Sequence, residues 1–204
     1  GSLRTHPDIS DVFRISSVSS PEETLLLFYK KKEKDGTLRV FSARSRDGLE
    51  WSQVTEADTI RELGTVVDFQ RGGDARYGLF FGERTIKLAL SSDLKRWHVR
   101  RASLLKPREH FFDEGPLSIG TAVSAGNGVL IFYVSENREG RQCIGSALVG
   151  NSDPKTVLWR TEEPLWMSPN EWLGRDVRFV GAVPRMGKVL LYWSVDGKLF
   201  VEEI

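Results

Sequence analysis

The sequence predicts an all-β fold, and within that class a β-propeller. Two observations lead there. Ser45-Arg46-Asp47-Gly48-Leu49-Glu50-Trp51 and Ser91-Ser92-Asp93-Leu94-Lys95-Arg96-Trp97 carry Ser, Asp and Trp at the same phase, each closing a strand-like run. Around them, short runs rich in β-branched, aromatic and leucine residues recur in groups at about 45-residue spacing, which is the length of a propeller blade. Short strands with regular turns also fit a β-sandwich. The recurrent Ser-x-Asp…Trp element favours the propeller.

The first group holds Val12 to Val18, Leu25 to Lys30 and Leu38 to Ala43, with Asp35-Gly36 as a hairpin turn and Trp51 at its end. The second holds Thr65 to Phe69, Tyr77 to Phe81, Thr85 to Leu90 and Trp97 to Arg100. An irregular connector, Ala102 to Gly115, precedes the third: Ser118 to Val123, Val129 to Val134, Cys143 to Val149 and Val157 to Arg160. There Asn151-Ser152-Asp153-Pro154 and Trp159 make a looser copy of the repeated element. After a second connector, Thr161 to Pro169, come Val177 to Val183, Val189 to Trp193 and Leu199 to Glu203. Only Glu22 to Leu27 and Thr55 to Leu63 offer a helical turn or two. The expectation is one domain over 1–204, with blades at about 10–54, 59–101, 116–160 and 174–204. The last blade shows three strands, and the N-terminal arm, residues 2–9, is expected to complete it and remove an open edge.

The chain's 204 residues suffice for an apolar core without metals or disulfides. Its 29 basic and 28 acidic residues argue against a nucleic-acid or anionic-membrane surface. The one basic run, Lys30 to Lys34, falls at a hairpin turn and reads as a solvated loop. The single cysteine, Cys143, sits in a strand-like run and reads as a small buried hydrophobe. No apolar run reaches the length of a membrane span. Gly1-Ser2 resembles the scar of tag removal, which leaves room for a missing N-terminal region or a partner chain. With no disulfide and no visible secretion signal, the compartment is open and leans to the cytoplasm. His6, His98 and His110 are dispersed without Cys or carboxylates at ligand spacing, so no metal site is expected. No phosphate loop points to a nucleotide, and no cofactor is expected.

Between residues 85 and 193 an ordered series stands out: Ile86 to Trp97, Leu104 to Arg108, Ser118-Ile119-Gly120, Gly128 to Tyr133, Ile144 to Leu148, Asp153-Pro154, Arg160, Glu163-Pro164-Leu165 and Val189 to Asp196. The series resembles glycoside hydrolase family 130, the β-mannoside phosphorylases and mannosidases built on a five-bladed propeller. The resemblance implies a scaffold of that five-bladed glycosidase type, with four blades recognisable here. It implies a catalytic Asp in an Asp-Pro-Arg element, where this chain reads Asp11-Val12-Phe13-Arg14. Arg14 fits, Val12 takes the Asp position, and Asp11 is one step away, on the opposite face of a strand. The Tyr-His strand end reads Tyr133-Val134. The lysine and the paired Arg-Asn of the family have no counterpart, and phosphorolysis needs cations to hold phosphate.

Glycoside hydrolysis requires two carboxyl groups across the sugar. The carboxylates expected near inner strand ends are Asp11, Asp68, Glu114, Glu136, Asp176 and Asp196, of which Asp68, Glu114 and Asp196 are the catalytic candidates. Asp196 resembles a family position but also forms an Asp-Gly turn. Glu114 follows Phe111-Phe112-Asp113 in a connector, where binding loops gather. Arg14, Arg178, Trp166, Trp172 and Trp193 are candidates for holding a sugar, with core packing the favoured role of Trp166 and Trp172. The function expected is a glycosidase-like propeller that binds an oligosaccharide or glycan without efficient catalysis. The alternative is a hydrolase acting on mannose-type oligosaccharides.

Overall fold

The computed structural model describes residues 13–18, 24–32, 34–47, 51–56, 60–69, 76–126, 128–185 and 188–204. These form four antiparallel sheets in two compact units. One unit comprises Gly1–Phe81 and Lys87–Ala102; the other comprises Gly82–Ile86 and Ser103–Ile204.

The first unit holds β1 (Phe13–Val18), β2 (Thr24–Lys32), β3 (Leu38–Ser45) and β4 (Ser52–Glu56), paired in that order. Its second sheet is β5 (Gly64–Asp68), β6 (Tyr77–Phe81), β7 (Lys87–Ser91) and β8 (His98–Val99), again in order. Successive side chains of a strand point to opposite faces, and β2 is buried on both. Leu26 and Phe28 pack in one core with Val40, Val66, Leu79 and Trp97, whereas Leu27 and Tyr29 pack with Ala43, Phe41 and Trp51. A strand covered on both sides reads as an unbroken apolar run, which is what Leu25 to Tyr29 is. The helical turns expected at Glu22 to Leu27 and Thr55 to Leu63 are therefore corrected. Residues 24–27 extend β2 and 52–56 form β4, because ladder pairing outweighs the weak preference of so short a helix. Residues 22, 23 and 57–59 lie outside the described residues.

The twinned Ser-x-Asp…Trp element closes a turn. The Ser91 hydroxyl accepts from the amides of Asp93 and Leu94, and Asp93 Oδ1 accepts from the amides of Lys95 and Arg96 at 2.8 and 2.9 Å. Leu94 takes φ 61° inside that turn. Trp97 then packs edge-on against Phe28, 6.3 Å between ring centroids. In the looser third copy Asp153 again binds its own turn, but Trp159 is half exposed.

The second unit holds β9 (Ser118–Ala125), β10 (Gly128–Glu136), β11 (Gln142–Gly150) and β12 (Val157–Arg160), with β13 (Trp166–Met167) beside β12 on the outer edge of β11. A single 3-10 turn, Asn170–Trp172, follows. The last sheet is β14 (Val177–Arg185), β15 (Lys188–Val195) and β16 (Lys198–Glu203). One face of it carries Phe179, Leu191 and Trp193 into a core with Phe132, Ile144 and Trp166. Among the described residues β16 is an edge strand, with Leu199 and Val201 more than half exposed. The arm expected to complete this sheet lies outside the described residues.

Candidate functional site

The polar side chains that converge in the second unit come from the segment preceding β9 and from the strand ends it crosses. At their centre is Asp113, which has no exposed surface. Arg108 donates to it through Nε (to Oδ1) and Nη2 (to Oδ2), both at 3.0 Å. Arg160 Nη2 donates to Oδ2 at 2.6 Å, and the Tyr133 hydroxyl donates to the same oxygen at 2.7 Å. A buried carboxylate is tolerated only with its charge matched and its lone pairs filled, and here two guanidinium groups and a phenol do both. Further donors are placed as well: Arg108 Nη2 reaches Thr161 O at 2.5 Å, and Arg160 Nη1 reaches Lys106 O at 2.8 Å.

Local backbone features make this convergence possible. The 108–113 segment is closed on itself by Arg108 N–H to Asp113 O at 3.1 Å. Tyr133 follows a register shift in the β9–β10 pairing, the kind of bulge that re-aims a side chain. Its partner across β10–β11 is Gly145, where a Cβ would lie 2.3 Å from the Tyr133 ring and hydroxyl. Burial pushes the Tyr133 phenol above its ordinary pKa; the Arg160 bond opposes this and the Asp113 bond adds to it. It therefore stays a neutral donor. Rings and guanidinium groups also layer: Arg108 lies over Phe111 at 4.3 Å and Phe112 at 5.8 Å, Phe112 stacks on Tyr133, and Arg160 lies over the other residue of that pair, Tyr133, at 5.0 Å.

Glu114 is the next residue. Its side chain is 17% exposed, and Arg138 Nε reaches its two oxygens at 2.6 and 2.7 Å. Arg138 Nη2 also meets His110 Nδ1 at 3.3 Å. Gly115 then passes so close to β10 that a Cβ would stand 2.2 Å from Glu136 O. Glycine is needed there for approach, and Ser135 Oγ secures the crossing by donating to Gly115 O.

The other sequence-derived candidates lie elsewhere. Asp68 ends β5 in the first unit, nearly buried, with Arg76 Nη2 and Nε on its Oδ2 at 2.8 and 3.1 Å. Asp196 occupies the β15–β16 turn at φ 48°, accepting from Arg175 Nε at 2.7 Å and from the Asp176 amide. Those two bonds hold its carboxyl below the usual aspartate value. Arg178 is exposed and pairs with Asp176. Arg14 is placed by its backbone in β1, opposite Phe28; its side chain, like Asp11 and Val12, lies outside the described residues.

For Trp166 and Trp193 the geometry is that of core packing. Trp193 is 1% exposed, stacked 3.9 Å from Trp166 on one side and packed on Phe179. Trp166 is 8% exposed and donates to Glu202. A ring that stacks on a sugar needs a free face, and neither has one. Trp172 keeps partial exposure, leaning on Trp166 and Phe200. Among the described residues no three His, Cys, Asp or Glu side chains gather as a metal site.

The Asp113 cluster was not singled out from the sequence. The signal was present, since Arg108, Tyr133 and Arg160 all belong to the ordered series, and the structure gathers them on one carboxylate.

No protein-family model and no curated protein sequence matches the chain. Solved structures do. A glycosyl hydrolase from Bacteroides ovatus superposes with a TM-score of 0.76 at 20% identity, over 94% of this chain and 63% of that one. A structure from the glycoside hydrolase family 130 of mannoside phosphorylases, described with hydrolases that target β-1,2 mannosidic linkages in Candida mannan, gives 0.76 at 21%, over 98% and 66%. The β-1,2-mannobiose phosphorylase of Listeria innocua, in complex with β-1,2-mannobiose, gives 0.72 at 20%, over 96% and 57%. The fold is an all-β propeller, as in these structures. The chain spans between 57% and 66% of the length of these three structures. The superpositions and the ordered series point to the same group of structures.

Proposed function

We propose that this propeller binds a mannose-type oligosaccharide and does not hydrolyse it efficiently. One observation carries the reading: each candidate carboxylate is engaged by arginine. Arg76 holds Asp68, Arg138 holds Glu114 and Arg175 holds Asp196. A general acid must present a proton to the leaving oxygen, and a general base must accept one from water. A guanidinium offers donors and no acceptor, so each oxygen it engages has fewer lone pairs left for either task. Arg138 and Arg175, with side chains 65% and 39% exposed, suit the hydroxyl groups of a neutral glycan. The mannoside-directed relatives supply the sugar class.

Hydrolysis of mannose-type oligosaccharides is the alternative, with Glu114 as the reacting carboxylate because it directly follows Asp113, the centre of the polar cluster. Titration calorimetry with β-1,2-mannobiose and longer mannooligosaccharides, run beside chromatography of the same mixtures with and without phosphate, separates the two. Binding without released mannose or mannose phosphate is expected. Release at a rate set by enzyme concentration would overturn the non-catalytic reading, and absence of binding to every glycan would overturn both.

A further inference from the structure

Phe111 is 42% exposed, yet both its ring and its backbone are engaged. Arg108 covers one face of its ring at 4.3 Å, and Arg108 is itself fixed by two bonds to the buried Asp113 and one to Thr161 O. The backbone is pinned as well, because the Phe111 amide donates to Arg108 O and the Arg108 amide to Asp113 O. An exposed phenylalanine forgoes burial and gains nothing from water. The preceding residue, His110, takes φ 66°, a left-handed conformation that a side chain disfavours. Strain of this kind persists where surrounding structure imposes it, and it gathers at ligand clamps.

We infer that Phe111 is a stacking platform for one sugar ring of an oligosaccharide, flanked by Arg138 and Glu114 as hydrogen-bonding partners for its hydroxyls. This deepens the carbohydrate reading above and rests on it. A pyranose has an apolar C–H face and a rim of hydroxyls, so it fits a single aromatic ring bordered by polar groups. The surroundings have that character: Glu109 and His110 are exposed, Arg138 is 65% exposed, and Glu114 and His110 both meet Arg138. A protein-docking anchor would instead sit in a wider apolar patch. Pre-fixing the ring also spares the ordering cost that binding otherwise carries. The alternation of guanidinium and ring behind Phe111 gives the platform its rigidity.

The experiment is a titration of the protein with β-1,2-mannobiose and a series of longer mannooligosaccharides, followed by calorimetry and by proton NMR of the sugar. Phe111→Ala is expected to weaken binding by about tenfold or more, and Phe111→Trp to preserve or tighten it. Near-UV circular dichroism checks that both variants keep the packed core. In the wild-type complex the C–H protons of one sugar unit should shift upfield through the ring current of Phe111, a readout that needs no variant. Wild-type binding that is unchanged in Phe111→Ala, or lacks the upfield shift, overturns the platform and leaves the carbohydrate reading standing. No binding of any glycan by the wild type overturns both, and a glycan-independent protein partner lost in Phe111→Ala would reassign the ring to protein docking.

Discussion

The Tyr133 hydroxyl donates to Oδ2 of Asp113 across 2.7 Å, onto a carboxylate that solvent does not touch. That oxygen also serves Arg108 and Arg160. The charge on Asp113 is therefore what permits two guanidinium groups to lie side by side in the interior of the second unit.

Asp113→Asn keeps the shape, removes the charge and turns an amide N–H toward existing donors. Breaking one partner of a buried ion pair costs about 3–5 kcal/mol, so a loss of that order is expected in urea denaturation. Tyr133→Phe keeps the ring stacked on Phe112 and removes only the hydroxyl, for which about 1–2 kcal/mol is expected. If Asp113→Asn matches wild type in midpoint, the cluster does not hold the unit together.

Gly145→Ala tests the same cluster from the neighbouring strand. The added methyl would meet Tyr133 at 2.3 Å, and the ring has no room to retreat without leaving Asp113. Overpacking of a fixed interior costs about 1–3 kcal/mol. A lowered denaturation midpoint, measured in the same urea series, is the expected outcome.

The turn at Asp93 makes stability depend on acid. The amides of Arg96 and Lys95 hold its carboxyl below the ordinary aspartate value. A carboxylate whose folded pKa is depressed stabilises the protein above its unfolded value, and that contribution is lost as pH falls through the lower folded value. Asp93→Asn retains an acceptor but no charge. The stability gap between wild type and Asp93→Asn, measured by thermal unfolding, should be full near neutrality and should close below about pH 4. A gap constant across that window would show that the charge contributes nothing.

Cys143 is fully buried, and burial pushes its thiol up to about 11. The thiolate is the reactive form. A disulfide-exchange reagent at pH 8 should therefore leave the folded protein unlabelled over minutes and label it at once in urea. Rapid labelling of the folded protein would contradict the closed packing of β11 against β10.

Much of the fold was legible because its signals are local. Leucine and β-branched runs marked the strands, Asp35-Gly36 and Asp196-Gly197 marked turns, with Gly36 and Gly197 at φ 85° and 77°, and Ser91-x-Asp93 bonds its own amides. Strands β4 and β13 were missed, since Ser52–Glu56 and the two-residue Trp166–Met167 owe their form to partners in β3 and β11 rather than to their own pattern. The site was less legible for the same reason. Asp113, Tyr133 and Arg160 become neighbours only after three elements have docked. Trp166 and Trp193 stayed candidates for a sugar beside the core-packing reading, because composition cannot tell a free aromatic face from an occupied one.

The contact between those two indoles has a spectroscopic consequence. Ring centroids 3.9 Å apart with planes inclined by 27° bring two strong electronic transitions into close coupling. Trp166 belongs to β13 and Trp193 to β15, so the pair bridges the two sheets of the second unit. Coupled chromophores of this kind give a paired positive and negative band in circular dichroism that vanishes when they part. The chain thus carries an intrinsic optical gauge of whether its last sheet is docked, readable without label or ligand.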